Sequence, residues 1–184
     1  MIKLSILIPT YNYKFGLLKI LDGFIKCREN DLNQIEVIIG DDSATNIIEN
    51  FEIDFYKKYI PNFRYIKNIN NLYIKNWNNL ISKAKGKYYW LLHHDEEIIN
   101  PKLGLENILK NLENNHYHIF ILPVDKFRDI NFVNIRISIF IKHTAPKNLL
   151  KFFIKNYSYL MYINIIGPPS GIIVSQKIKS LYQD

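Results

Sequence analysis

The chain has 184 residues and a formal net charge of +7, with a pI near 9.3. It is 48% hydrophobic and 22% charged, which excludes a disordered or fibrous chain and gives one domain enough apolar material to bury a core. A single cysteine, Cys27, excludes a disulfide framework and fits a reducing, cytoplasmic compartment.

The first apolar run ends at Pro9, too short for a signal peptide. No stretch reaches the ~18 apolar residues of a membrane span. The nearest, Ile130 to Ile141, is interrupted by Asn131, Asn134 and Arg136. The lysines are scattered, so the positive charge reads first as a solvated surface. It leaves open a peripheral contact with an anionic membrane face, as does the aromatic segment Tyr157 to Ile166.

Leu4 to Ile8 is a short run with β-branched residues and reads as a buried strand. Pro-Thr-Tyr-Asn follows as a turn. Leu17, Leu18, Leu21, Phe24 and Ile25 recur at helical spacing. Ile35 to Ile39 is a second strand, closed by Gly40. Ser43 or Thr45 is placed to cap a helix whose apolar face is Ile47, Ile48, Phe51 and Phe55. Phe63 to Ile66 is a third strand. Trp77, Leu80, Ile81 and Ala84 form a helical stripe that Gly86 terminates. Tyr88 to Leu92 is a fourth strand. Pro101 opens a helix carrying Leu105, Ile108, Leu109 and Leu112, and Ile119 to Val124 is a fifth strand. Beyond Asp125 the pattern changes: Phe132 to Ile141 reads as strand, Leu149 to Ile154 as helix, Gly167 to Gly171 as a rigid turn and Ile172 to Val174 as a last strand. Alternating strands and helices predict an α/β fold, a mostly parallel sheet with helices on both faces.

Such sheets bind ligands beyond the carboxyl ends of their strands. Thr10, Tyr11 and Asn12 follow the first strand, Asp41 and Asp42 the second, and His93, His94, Asp95 and Glu96 the fourth. All three clusters therefore fall on one edge. The run Asp95-Glu96-Glu97 has two readings. Adjacent carboxylates suit a hard cation such as Mg²⁺ or Mn²⁺ that also holds a substrate's phosphates; equally, acidic residues favour a helix start. Asp41 and Asp42 are ordinary turn and cap residues or, alternatively, a free acceptor for a base N–H. His93 and His94 point to opposite sides of a strand and cannot easily share one metal, which disfavours zinc. His116 and His118 read as edge or surface residues. No dinucleotide fingerprint, phosphate-binding loop or nucleophile elbow is present.

Together these pieces resemble the family 2 glycosyltransferases, inverting enzymes of GT-A fold that use nucleotide-sugar donors. Ser5-Ile-Leu-Ile-Pro-Thr-Tyr-Asn12 resembles that family's opening strand and turn. Val37-Ile-Ile-Gly-Asp-Asp-Ser43 resembles its second strand with paired aspartates. Asn76-Trp-Asn78 and Ala84-x-Gly86-x-Tyr88 resemble the stretch before its metal motif, and Leu91-Leu-His-His-Asp-Glu-Glu97 stands where the family has Asp-x-Asp. Gly167-Pro-Pro-Ser170 resembles an acceptor-side turn.

The resemblance implies a donor pocket lined by Pro9, Thr10, Tyr11 and Asn12. Asp42, with or without Asp41, would contact a base, commonly uracil. Asn76 and Asn78 would lie near the ribose and diphosphate, beside His93 and His94. Asp95, joined by Glu96, would hold Mn²⁺ or Mg²⁺. The implied reaction is direct displacement at the anomeric carbon by the hydroxyl of a glycan or lipid-linked acceptor. Two departures stand out. His93 replaces the first aspartate of Asp-x-Asp, and the family's general base lies past the turn, where this chain ends; Asp184 is a poor substitute. The expected organisation is one domain, 1–184, with a nucleotide-sugar half at 1–125 and a partial acceptor half at 126–184.

The competing reading from the same residues is a catalytically inactive nucleotide-sugar-binding domain or assembly subunit. A phospho-signalling receiver is disfavoured because its aspartate pair follows the first strand. An RNA-binding module is disfavoured because no stacking motif with basic interleaving is present.

Overall fold

Seven strands form one sheet among the described residues of the computed structural model, which are 1–72, 75–96, 98–114, 117–121, 141–142 and 172–176. The strands are β1 (Leu4–Thr10), β2 (Ile35–Asp41), β3 (Phe63–Lys67), β4 (Tyr88–Leu91), β5 (Tyr117–Ile121), β6 (Ile141–Lys142) and β7 (Ile172–Ser175). The helices are α1 (Lys14–Phe24), the short α2 (Glu29–Leu32), α3 (Asn50–Tyr59), α4 (Lys75–Lys83) and α5 (Pro101–Asn114). The strand order is β3-β2-β1-β4-β7-β5-β6. β3, β2, β1 and β4 pair in parallel, whereas β7 runs antiparallel to both β4 and β5. Among the described residues no helix is long and apolar enough to cross a membrane.

Strand alternation divides the core in two. Leu4, Ile6 and Ile8 of β1, with Ile35, Val37 and Ile39 of β2, face α1, α3 and α5 through Leu17, Leu21, Phe24, Tyr56 and Leu105. On the other face, Leu7 and Ile38 pack against Leu80 of α4, with Trp77, Ile81 and Ala84 around it. Helices thus cover both faces, as expected from the alternating pattern. The α4 face also carries a buried polar group: Ser5 Oγ donates to Glu36 Oε1 at 2.6 Å, and Arg64 Nη2 bonds Glu36 Oε2 at 2.7 Å.

Several local expectations need correction. Gly40 does not close β2; the strand continues through Asp41, and pairing with β1 runs to Thr10↔Asp41. Glycine serves close approach there, since an added Cβ would overlap Asn76 Oδ1 of α4. Gly86 is likewise no helix cap, because α4 ends at Lys83. A Cβ on Gly86 would come within 2.6 Å of Ser5 N, so this glycine lets the α4–β4 connection pass against the start of β1. Neither Ser43 nor Thr45 caps α3. Glu49 does, in a reciprocal capping box with Glu52. That later start leaves Ile47 and Ile48 ahead of the helix and turns Phe51 and Phe55 outward, while Tyr56 faces the core.

α5 starts at Pro101 as expected, and Leu105, Leu109 and Leu112 are buried. The last strand, predicted over Ile172 to Val174, is β7. Of the predicted segment Phe132 to Ile141, only Ile141 is described, in β6. The predicted helix Leu149 to Ile154, the turn Gly167 to Gly171, the segment Tyr157 to Ile166, and Glu97, His116, Val124 and Asp184 lie outside the described residues.

Candidate functional site

The carboxyl ends of β1, β2 and β3 meet at a cleft of about 360 Å³ lined by Tyr11, Asp42, Ser43, Ala44, Lys67, Asn68, Ile69 and Asn71. The turn after β1 is held across it. Asn12, at φ 50°, donates its backbone N–H to Ser43 Oγ at 2.7 Å, and Asp42 N–H bonds Thr10 O at 3.0 Å. Asparagine tolerates this left-handed geometry better than most residues. Tyr11 is left half exposed at the mouth.

The two aspartates have different surroundings. Asp41 is 0% exposed. Its Oδ1 accepts Ser43 N–H at 2.8 Å, while Oδ2 accepts the Ile47 N–H and Lys67 Nζ, each at 3.3 Å, and also the Tyr65 hydroxyl. Burial pushes its carboxyl up, but the hydrogen bonds from Ser43 and Tyr65 outweigh it and hold Asp41 below the usual carboxylate range. Burial and the neighbouring carboxylate push the Tyr65 phenol up in turn. Asp41 thus organises the loop 42–47 from beneath. Lys67, which also donates to the Ser43 and Thr45 carbonyls, fastens that loop to β3.

Asp42 instead reaches the cleft. Its Oδ1 accepts Asn68 Nδ2 at 2.6 Å. Asn68 is the centre of an amide network. Its Nδ2 also donates to Asn76 Oδ1 at 3.1 Å, its Oδ1 accepts Asn79 Nδ2 at 3.0 Å, and Asn76 Nδ2 donates to Gly40 O at 2.8 Å. Asn76 is 1% exposed and ties α4 to the end of β2. Asn78, two residues on, is exposed on another flank of α4, since residues two apart on a helix do not share a face. Asn76 and Asn78 are therefore not brought together.

The turn after β4 is tied to the end of β1. Leu92 N–H bonds Leu7 O at 3.0 Å, and His94 Nδ1 lies 3.1 Å from Pro9 O. The His94 ring packs on Tyr13 with centroids 5.4 Å apart, and His93 meets Trp77 of α4 edge-on at 5.2 Å. The adjacent histidines thus face different neighbours, although they lie past the end of β4 at Leu91, in the turn and not on a strand as the sequence reading has them. Asp95 is exposed and Glu96 partly so, in a turn where Glu96 N–H bonds His93 O at 3.3 Å. Among the described residues no group of three or more His, Cys, Asp or Glu could hold a metal ion unaided. Thr10 carries the one buried side-chain polar atom without a partner among the described residues, Oγ1.

Asn68 was not singled out by the sequence, and neither were Tyr65 and Lys67. The signal for Asn68 was available: it is the first residue beyond β3, so the strand-end rule that selected the other clusters covers it too.

Fold and site together define an α/β domain whose polar residues gather beyond the carboxyl ends of its parallel strands. The glycosyl transferase family 2 profile matches residues 5–178, and the chain belongs to that family. No curated protein sequence matches it. Among solved structures, S. aureus TarS residues 1–349 superimposes with a TM-score of 0.59 at 18% identity, covering 71% of this chain and 38% of that one. The same TarS fragment in complex with UDP-GlcNAc gives 0.56 at 18%, covering 71% and 37%. The mannosyltransferase PcManGT from Pyrobaculum calidifontis, in complex with GDP-Man and Mn2+, gives 0.51 at 17%, covering 69% and 36%. These likenesses establish the shared fold. The chain spans well under half the length of each of these proteins.

Proposed function

We propose that the described part of this chain is the donor-binding portion of a glycosyltransferase that moves a sugar from a nucleoside diphosphate, UDP in our reading, to a glycan or lipid-linked acceptor. The observation that carries the proposal is the cleft at the ends of β1, β2 and β3, where Asp42 reaches the lining while Asp41 is sealed beneath it. A carboxylate at the base of a cleft with an exposed tyrosine at its mouth suits a nucleobase: the ring stacks and its N–H donates. That UDP-GlcNAc and GDP-Man occupy structures of the same fold supports a nucleoside diphosphate sugar as the donor class.

In this reading Pro9, Thr10, Tyr11 and Asn12 form one wall of the nucleotide site, and Asn76 holds the floor through Gly40. His93, His94 and Asp95 stand at the diphosphate end. Asp95 and Glu96 are oxygen donors of the kind Mn²⁺ or Mg²⁺ takes, and two carboxylates fit such an ion when substrate phosphates supply further ligands. Bound there, the ion would offset charge on the diphosphate. The contribution of this chain's own residues is to hold the nucleotide so that the acceptor hydroxyl meets the anomeric carbon in line. The domain is read as cytoplasmic, and its net charge of +7 leaves open a peripheral contact with the inner membrane face.

A second reading, a nucleotide-sugar-binding domain without turnover, is favoured by His93: where the family carries an aspartate, this side chain packs against Trp77. Calorimetric titration of UDP with and without Mn²⁺, beside Asp95→Ala, tests the site. Metal-dependent binding that the variant loses supports it. Binding of neither UDP nor GDP in any condition refutes it. Sugar transfer to water or to an acceptor mixture separates the two readings.

A further inference from the structure

The outward side of α3 is aromatic along its length. Phe51, Phe55 and Tyr59 follow one another at intervals of four, so they line one side of the helix. They are 72%, 45% and 42% exposed. The Phe55 and Tyr59 rings pack on each other with centroids 5.0 Å apart. The opposite side of the same helix carries the buried Tyr56 and the half-buried Ile53, which pack on the core. α3 thus has two apolar sides, and its outer one faces solvent. A contiguous aromatic strip of this kind marks a surface that another molecule covers.

The charges indicate which molecule. Within α3, Glu52 and Asp54 come before Phe55, and Lys57 and Lys58 come after it. The strip is therefore symmetric about Phe55 in its rings and opposite in its charges. With acids and lysines balanced, an anionic lipid surface gains no attraction from this helix. A second, antiparallel α3 is complementary to it. We propose that the outer side of α3 is a self-association surface, on which two copies of this chain pair α3 against α3 about a two-fold axis at Phe55. In that pairing Phe55 meets Phe55, Phe51 meets Tyr59 of the second copy, and each acidic half lies along a basic half. Asp54 and Lys58, four apart, share the flank beside the rings. Asp54 is one residue before the axis and Lys58 three after it, so Asp54 and the Lys58 of the second copy stand about 3 Å apart along the helices. Both are available for the exchange. The Asp54 side chain is 76% exposed and meets Lys57 at 3.7 Å, a surface pair that contributes little. Lys58 Nζ lies over the Tyr59 ring, 5.6 Å from its centroid, already at the strip.

The test is the mass in solution, by light scattering after size exclusion over a series of protein concentrations. The mass of the unaltered chain rises with concentration from 21.9 kDa toward twice that value. Phe55→Ala, a change on the solvent side, leaves the melting temperature in place and weakens association by about tenfold or more. Asp54→Lys and Lys58→Asp each set two like-charge contacts across the axis and weaken it by about tenfold as well. Mixed in equal amounts, those two variants associate with each other, because the mixed pair restores opposite charges at both contacts. The double variant Asp54→Lys/Lys58→Asp associates like the unaltered chain, which separates lost pairing from lost folding. A mass of 21.9 kDa at every concentration overturns the proposal. So does association that Phe55→Ala leaves unchanged, or single charge variants that the mixture and the double variant fail to rescue. Co-sedimentation with phosphatidylglycerol vesicles, lost in Phe55→Ala while the chain stays monomeric, gives the strip to a membrane and overturns it too.

Discussion

Tyr65→Phe removes one hydroxyl from a carboxylate that has no access to water. Asp41 Oδ2 keeps the Ile47 N–H and Lys67 Nζ, both at 3.3 Å, too long to replace the lost donor fully. A hydrogen bond to a charged group contributes about 1.5–3 kcal/mol. The phenyl ring retains the rest of the packing, so the expected loss at pH 7 is ~2 kcal/mol. With a urea dependence of about 2 kcal/mol per molar, the unfolding midpoint falls by roughly 1 M. Protonation sets the pH dependence. The folded carboxyl of Asp41 lies below its ordinary value of 3.8, so its stabilisation is complete above that value and is lost as pH falls through the lower folded one. The gap between the wild type and Tyr65→Phe is therefore full at pH 7 and closes only as pH falls through the carboxyl's folded values. Urea titrations at pH 7 and at a series of lower pH values, followed by circular dichroism, measure both. An unchanged midpoint at pH 7, or a gap that does not narrow at any lower pH at which both proteins still fold, refutes the picture of Asp41 as an ionised organiser.

Gly40→Ala places a methyl group on Asn76 Oδ1 and within 3.1 Å of Leu80 Cδ2. Overpacking of about 1–3 kcal/mol, with the Asn76–Gly40 bond lost in addition, lowers the melting temperature and weakens UDP together. A variant that melts like the wild type would show that α4 can leave β2 at no cost. Burial, assisted by Asp31 and opposed by Lys102, pushes the Cys27 thiol up to about 11 from 9.0. At pH 8 its thiolate is thus ~100-fold scarcer than in an unfolded chain, and alkylation by iodoacetamide slows accordingly. Equal rates in folded and urea-unfolded protein would contradict that.

The parallel half of the sheet was legible because its strands are runs of isoleucine, leucine and valine between glycine and polar turns, and burial on both faces demands such runs. The start of α5 was legible from Pro101. α3 was misread because Ile47, Ile48, Phe51 and Phe55 are apolar at helical spacing, whereas the helix boundary is set by two glutamates, Glu49 and Glu52, that hydrogen-bond each other's backbone. Periodicity cannot see a cap of that kind. At the site, adjacency hid the division of labour between Asp41 and Asp42. One is sealed and the other reaches the cleft, and the groups that decide it, Tyr65, Lys67 and Asn68, arrive on the next strand and just beyond it. Gly40 and Gly86 looked like punctuation. Their reason is a neighbour far along the chain, Asn76 in one case and Ser5 in the other.

The placement of β7 has a consequence for synthesis. β4 and β5 do not touch as neighbours; the strand between them comes from Ile172–Ser175 and bonds to both. While the ribosome is still delivering the middle of the chain, β3, β2, β1 and β4 can already assemble, since each needs only what precedes it. β4 then waits with an open row of backbone donors and acceptors until β7 emerges. Closure is a long-range event and therefore slow, and for that interval the nascent sheet offers a bare edge to any other extended chain. A chain cut before residue 172 would keep that edge permanently, so loss of the four residues Ile172–Ser175 should cost solubility far more than their number suggests.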